Sequence, residues 1–154
     1  MLESLDNAKE ELKRADHLFY VSLKYTRTVD VIKSVIERLI NACAFGIESL
    51  LLYLKEQGKI PHVPELLRER VELVKKEFAA DPFIQENIGF FLLLRKIDKA
   101  PFTRKQEFRR HVTMTVEVDE KKIEIKIDDV KEYFEKIKNF IAHIEKLIEG
   151  KEEE

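Results

Sequence analysis

Residues 28–58, TVDVIKSVIERLINACAFGIESLLLYLKEQG, decide the fold. Val31, Ile32, Val35, Ile36 and Leu39 recur at helical spacing; Thr28 or Asp30 can cap the start, and Gly58 is placed to end the helix near Gln57. At ~1.5 Å per residue such a helix spans about 42 Å. Its first half carries one apolar stripe. Its second half, from Leu39 to Leu52, is apolar nearly all round. A helix wet on one side has no need of that. Either neighbours cover it from several sides, or it lies in a subunit interface.

Working outward, Leu5, Ala8, Leu12, Ala15 and Phe19 predict a first helix over residues 4–25, broken by Tyr25-Thr26-Arg27-Thr28. Downstream, Gly58 to Pro64 is a turn. Pro64 suits a first helical position, so a third helix is expected over 64–79. Asp81-Pro82 restarts the chain, with Asp81 as cap of a fourth helix over 82–98 that contains the apolar run Phe90 to Leu94.

The period then changes. Val112, Met114, Val116 and Val118, then Ile123, Ile125 and Ile127, alternate with polar residues, which predicts a β-hairpin with one oily face. Pairing Val118 with Ile123 keeps all seven together, and sets Glu117 opposite Glu124. A last helix follows Asp128-Asp129 on the stripe Val130, Tyr133, Phe134, Ile137, Ile141, Ile144 and Ile148. Gly150 is expected to end it, and residues 151–154 to fray as an acidic tail. The expected fold is mainly α: one domain over 1–150, an up-and-down bundle of about five helices with a β-hairpin before the last.

Composition narrows the function. The 154 residues are 44% hydrophobic, enough for a core. Charged residues reach 38%, but 28 basic and 30 acidic groups leave a net charge of −2, so any polyanion binding needs a local patch. Lone Cys43 forms neither an internal disulfide nor a zinc cluster, and reads as a small buried apolar side chain. No apolar stretch is long enough for a bilayer and the N-terminus lacks a signal-like core, so a cytoplasmic protein is expected. Abundant Lys and Glu with no Trp suit a thermophile.

The outstanding polarity feature is residues 95–111, RKIDKAPFTRKQEFRRH. Seven cations (Arg95, Lys96, Lys99, Arg104, Lys105, Arg109, Arg110) against Asp98 and Glu107 leave an excess of five before His111 is counted, with Phe102 and Phe108 interleaved. If the strand begins near Arg109, then Arg109, His111, Thr113 and Thr115 share its polar face. Guanidinium forks, hydroxyls and aromatics in one place suit phosphate and bases. The plainer reading is a solvated loop beside an oily helix. His17 reads as structural or surface, His62 as part of an exposed turn, His143 as a flank residue and Glu48 as a carboxylate at the solvent edge. No pair of histidines has ligand spacing on one helix, so no metal or other cofactor is expected.

Residues 42–67, ACAFGIESLLLYLKEQGKIPHVPELL, resemble the second helix and following turn of the HEPN superfamily (higher eukaryotes and prokaryotes nucleotide-binding) through Ala42, Glu48, Leu54, Lys55, Gly58 and Pro61. The resemblance covers about two thirds of the chain. It implies a helical bundle that binds RNA or nucleotide phosphate. Active members are metal-independent ribonucleases whose Arg and His, four to six residues apart, act across a homodimer. Here Arg104 and His111 have six residues between them and Lys105 is the polar follower. By that resemblance His111 and Arg104 are the catalytic candidates, and Arg95, Lys105, Arg109 and Arg110 bind phosphate. The competing class is a non-catalytic homodimeric module or a partner subunit of a neighbouring protein; under either class the all-round apolar segments predict a homodimer through helices two and four.

Overall fold

The computed structural model describes residues 1–152. Its first helix, α1, is α-helical over Leu2–His17, widens to a π-helix over Leu18–Ser22 and closes with an α turn at Leu23–Tyr25. After a short extended link come α2 (Val29–Glu56), α3 (Leu67–Glu77) and α4 (Pro82–Lys99), then strands β1 (Phe102–Lys105), β2 (Thr113–Val118) and β3 (Lys121–Ile125), and finally α5 (Ile127–Glu152). This is the expected mainly helical bundle with a small sheet before the last helix.

The central rod is α2. Thr28 Oγ1 accepts from the Val31 N–H at 3.3 Å at its start. At its end Gly58 adopts φ +73°, the Lys59 N–H reaches the Leu54 carbonyl and the Gly58 N–H the Lys55 carbonyl. That pair of bonds is a Schellman cap, which needs the left-handed residue a glycine supplies. Helices α1, α3, α4 and α5 all pack on α2. The apolar second half is therefore covered from several sides within one chain: Ala42, Cys43, Ile47, Leu50 and Leu51 are fully buried. Burial pushes the Cys43 thiol far up from its ordinary range, so it stays a neutral core side chain. On the α1 side the buried carboxylate of Glu11 is held by Arg38 at 3.1 Å and Arg14 at 3.3 Å.

Several local expectations need correction. Helix α3 starts at Leu67, not at Pro64. The Pro64 carbonyl instead accepts from Arg70 Nε at 2.6 Å, which ties the turn to the helix without lengthening it. Gly150 does not end α5, which continues to Glu152; among the described glycines only Gly58 takes a positive φ. The expected fraying at Glu153 and Glu154 lies outside the described residues.

The hairpin is the middle and far edge of a three-stranded antiparallel sheet, ordered β1-β2-β3. Its register places Val118 opposite Lys121 and Val116 opposite Ile123, two residues from the expected pairing. Asp119 and Glu120, at φ 51° and 66°, form a two-residue turn with both central residues left-handed, as a type I′ hairpin requires. A shift of two keeps every side chain on its face. It also sets Glu117 opposite Lys122, replacing a like-charge pair with an opposite-charge one.

Candidate functional site

The basic segment does not continue as one strand. β1 pairs with β2 through Phe102–Val116, Thr103–Thr115, Arg104–Met114 and Lys105–Thr113, and the chain then makes a tight turn over residues 106–111. Gln106 and Phe108 take φ of 58° and 64° there, uncommon for side-chain-bearing residues. Two bonds hold the turn to the link between α1 and α2. The Phe108 N–H donates to the Arg27 carbonyl at 2.6 Å, and the Glu107 carboxylate accepts from the Val29 N–H at 3.2 Å.

This geometry corrects the expected polar face. Arg109 and His111 are exposed in the turn, before the strand begins, while Thr113 and Thr115 are buried. Thr113 donates its hydroxyl to the His111 carbonyl at 2.8 Å, so it braces the turn and presents nothing to solvent. The four groups are not one donor surface.

Strand parity separates the remaining cations. Arg104 shares the Met114 face and reaches Asp30 at 3.0 Å, with Glu107 at 3.8 Å and its guanidinium carbon 5.2 Å from the Phe102 ring centroid. The hydrogen bond that Arg104 donates to Asp30, reinforced by the charges of Asp30 and Glu107, raises its pKa further against a smaller opposing effect of desolvation. Its charge is thus matched within the chain. Lys105 turns to the opposite face, in a groove with Thr103, Thr115 and Lys122. Arg95 lies half-buried on α4, 6.0 Å from the Phe91 ring centroid.

Arg110 and His111 do meet. They line a cleft of about 450 Å³ with Arg27, Lys126, Ile127 and Asp128. Three chain segments build it: the α1–α2 link, the β1–β2 turn and the β3–α5 junction. Arg27, Arg110 and Lys126 less Asp128 leave an excess of two positive charges before His111 is counted. The amino end of the long α5 adds its own positive pole at Ile127 and Asp128. Arg27 Nε is buried and has no hydrogen-bond partner, although a buried donor left unmet costs about 1–3 kcal/mol. Arg27 as a whole is half-exposed and lines the cleft, so it brings a guanidinium charge to any oxyanion there. His111 adds a group able to give or take a proton there.

Arg27 and Lys126 are outside the run that the sequence singles out. Arg27 stands in a break of helical period and Lys126 on the polar side of a strand end; only the fold brings them to residues 110–111. The other candidates have structural surroundings. His143 on α5 meets Asp81 at 2.9 Å and lies against the Phe83 ring, Glu48 stands 3.9 Å from Arg70, and His17 and His62 are exposed. Among the described residues no group of three His, Cys, Asp or Glu side chains is placed to hold a metal ion, and no helix is long and apolar enough to cross a membrane.

Comparison with protein-family models, with curated proteins and with solved structures finds no match in any of the three.

Proposed function

We propose that the chain binds phosphate groups of RNA or of a nucleotide in the cleft of Arg27, Arg110, His111 and Lys126. The observation that carries this reading is the convergence of Arg27, Arg110, His111 and Lys126, from three separate chain segments, on one cleft with a surplus of positive charge. The resemblance of residues 42–67 to HEPN proteins supports the same class of ligand. Phosphate contacts of this kind position a strand without reading its sequence, so a sequence-tolerant ligand follows.

Metal-independent RNA cleavage is the catalytic form of this proposal. His111 then takes the proton of the 2′-hydroxyl as that oxygen bonds to phosphorus, Arg27 and Arg110 take up the charge of the phosphorane, and the P–O5′ bond breaks with the 5′-oxygen leaving protonated by His111 or water, giving a 2′,3′-cyclic phosphate. Arg104 has no part in that form, since Asp30 and Glu107 engage it. The competing homodimeric module through α2 and α4 predicts no RNA affinity; the covering of α2 by helices of its own chain weighs against it.

Fluorescence anisotropy of a labelled 12-nucleotide single-stranded RNA tests the binding. Wild-type protein is expected to bind, and Arg27→Gln and Arg110→Gln each to weaken the complex by about tenfold, as loss of a charge-assisted contact does. Equal affinity in wild type and both variants would overturn the assignment. Incubation of the same RNA in EDTA separates binding from cleavage, and cleavage retained by His111→Ala would remove the catalytic form.

A further inference from the structure

Beside the phosphate cleft lies a second, mostly apolar cavity. Phe19, Tyr20, Leu23, Lys24, Arg27 and Ile127 line a space of about 200 Å³ that shares Arg27 and Ile127 with the first. An apolar cavity of roughly 150 Å³ accepts one benzene ring, so this one has room for a single planar heterocycle. Its aromatic wall is unusual in build. Phe19 and Tyr20 lie in the π-helical turn, where the Leu23 N–H bonds to the Leu18 carbonyl five residues back. Such turns are rare and recur at functional sites. Here the turn buries Phe19 yet leaves Tyr20 47% exposed, the two rings edge to face at 4.8 Å. A half-exposed tyrosine braced by a buried phenylalanine is a ready stacking surface, and it shares its cavity with the arginine that also lines the phosphate cleft.

From this adjacency we propose that the paired cavities take one nucleotide unit, its phosphate on Arg27 and Arg110 and its base stacked on Tyr20. The inference rests on the phosphate-binding reading above and deepens it by naming the ligand as unpaired: a base held in a duplex cannot reach a tyrosine face. The unit is either free or part of a single strand. Stacking of one base on an aromatic side chain contributes enough to change affinity by about 5- to 100-fold, with little dependence on the base.

The test compares four probes by competition or anisotropy: the 12-nucleotide single-stranded RNA, a blunt RNA duplex of equal length, adenosine monophosphate, and inorganic polyphosphate, which has charge but no base. Tyr20→Ala should weaken single-stranded RNA at least fivefold and leave polyphosphate unchanged, and Tyr20→Phe should restore RNA affinity. Arg27→Gln should weaken both. Adenosine monophosphate competing at the same site identifies a free nucleotide as sufficient; failure to compete while the oligonucleotide binds identifies the strand, and either fits the proposal. Duplex binding as tight as single strand, or Tyr20→Ala binding RNA like wild type while Arg27→Gln does not, overturns the base slot and leaves the phosphate reading standing. If neither RNA nor polyphosphate binds wild-type protein, the phosphate reading fails and the base slot with it. Circular dichroism of Tyr20→Ala checks the helix; should it unfold, Tyr20→Gln, polar but without a stacking face, carries the same expectation.

Discussion

Glu107 accepts a hydrogen bond from the backbone N–H of Val29, seventy-eight residues earlier, at the first turn of α2. The contact couples two things that the sequence keeps apart. It meets one of the orphan donors of a 28-residue helix, and it holds the turn that carries Arg110 and His111. Replacing Glu107 by Ala should lower stability by roughly 1 kcal/mol, the usual cost of a lost helix cap. A denaturant titration reads this as a lower urea midpoint with an unchanged slope. The same variant should bind RNA more weakly, because of its two bonds to the link between α1 and α2 the turn keeps only that of the Phe108 N–H. Loss of an acidic group from a basic region would, by charge alone, strengthen binding. The sign of the change therefore separates anchoring from electrostatics.

Gly46 and Gly89, both inside helices, make opposite predictions. A Cβ at Gly46 would meet Ile141 Cδ1 at 2.8 Å and Ile144 Cδ1 at 3.0 Å, where α5 crosses α2; at Gly89 it would meet nothing within 4 Å. Gly89→Ala should stabilise the protein by about 0.5–1 kcal/mol, through the backbone entropy of the unfolded chain. Gly46→Ala gains the same term but must displace two buried isoleucine tips, and overpacking costs about 1–3 kcal/mol. A lower melting temperature for Gly46→Ala and a higher one for Gly89→Ala are expected. Stabilisation by Gly46→Ala would show that the α2–α5 contact is loosely packed.

Asp81 does two jobs at the start of α4. It caps the helix through the Ile84 N–H at 3.1 Å and pairs with His143 of α5 at 2.9 Å. Burial alone would raise its carboxyl pKa. The His143 hydrogen bond, the Ile84 N–H, the charge of His143 and the Phe83 N–H outweigh burial and lower it. A carboxyl depressed by folding adds stability above its unfolded value near pH 4 and loses it as pH falls through the folded value. The wild-type protein should therefore weaken below about pH 4. Asp81→Asn keeps a competent cap and should flatten that acid limb, while Asp81→Ala should lose about 0.5–2 kcal/mol at neutral pH as well. Melting temperatures measured from pH 3 to 7 check both. An unaltered acid limb in Asp81→Asn would assign the loss to other carboxylates.

How far the sequence carries is plain from particular elements. The caps at Thr28, Asp81 and Gly58 are legible because each uses a side chain or backbone freedom specific to its position. The stripe of α5 is legible because Ile137, Ile141, Ile144 and Ile148 repeat over many turns. Strand β1 escapes notice: four residues containing Arg104 and Lys105 have no oily alternation, and they pair only because β2 lies beside them. The hairpin register escapes because two pairings two residues apart keep the same apolar residues on one face, and only the turn, with two positive φ values, chooses between them. At the candidate site the run 95–111 leads to Arg110 and His111, but it gives no sign that Arg104 is spoken for by Asp30 or that Arg27 completes the cleft. Those are contacts between residues about 75–85 apart, and local spacing has no access to them.

Salt dependence distinguishes the cations of the cleft from those outside it. For single strands, log affinity falls against log salt with a slope of about −0.7 per neutralised phosphate, so Arg27, Arg110 and Lys126 together predict a slope near −2. Arg110→Gln and Lys126→Gln should each make the slope shallower by about 0.7, besides weakening binding at fixed salt. Arg104→Gln should leave the slope where it is, because Asp30 and Glu107 already occupy that guanidinium and no counterion is released from RNA on its account. Binding isotherms of the 12-nucleotide RNA between 50 and 200 mM salt supply all four slopes. A loss of slope in Arg104→Gln equal to that in Arg110→Gln would mean that the ligand draws Arg104 away from Asp30, and that the site extends along β1 rather than into the cleft beneath α1.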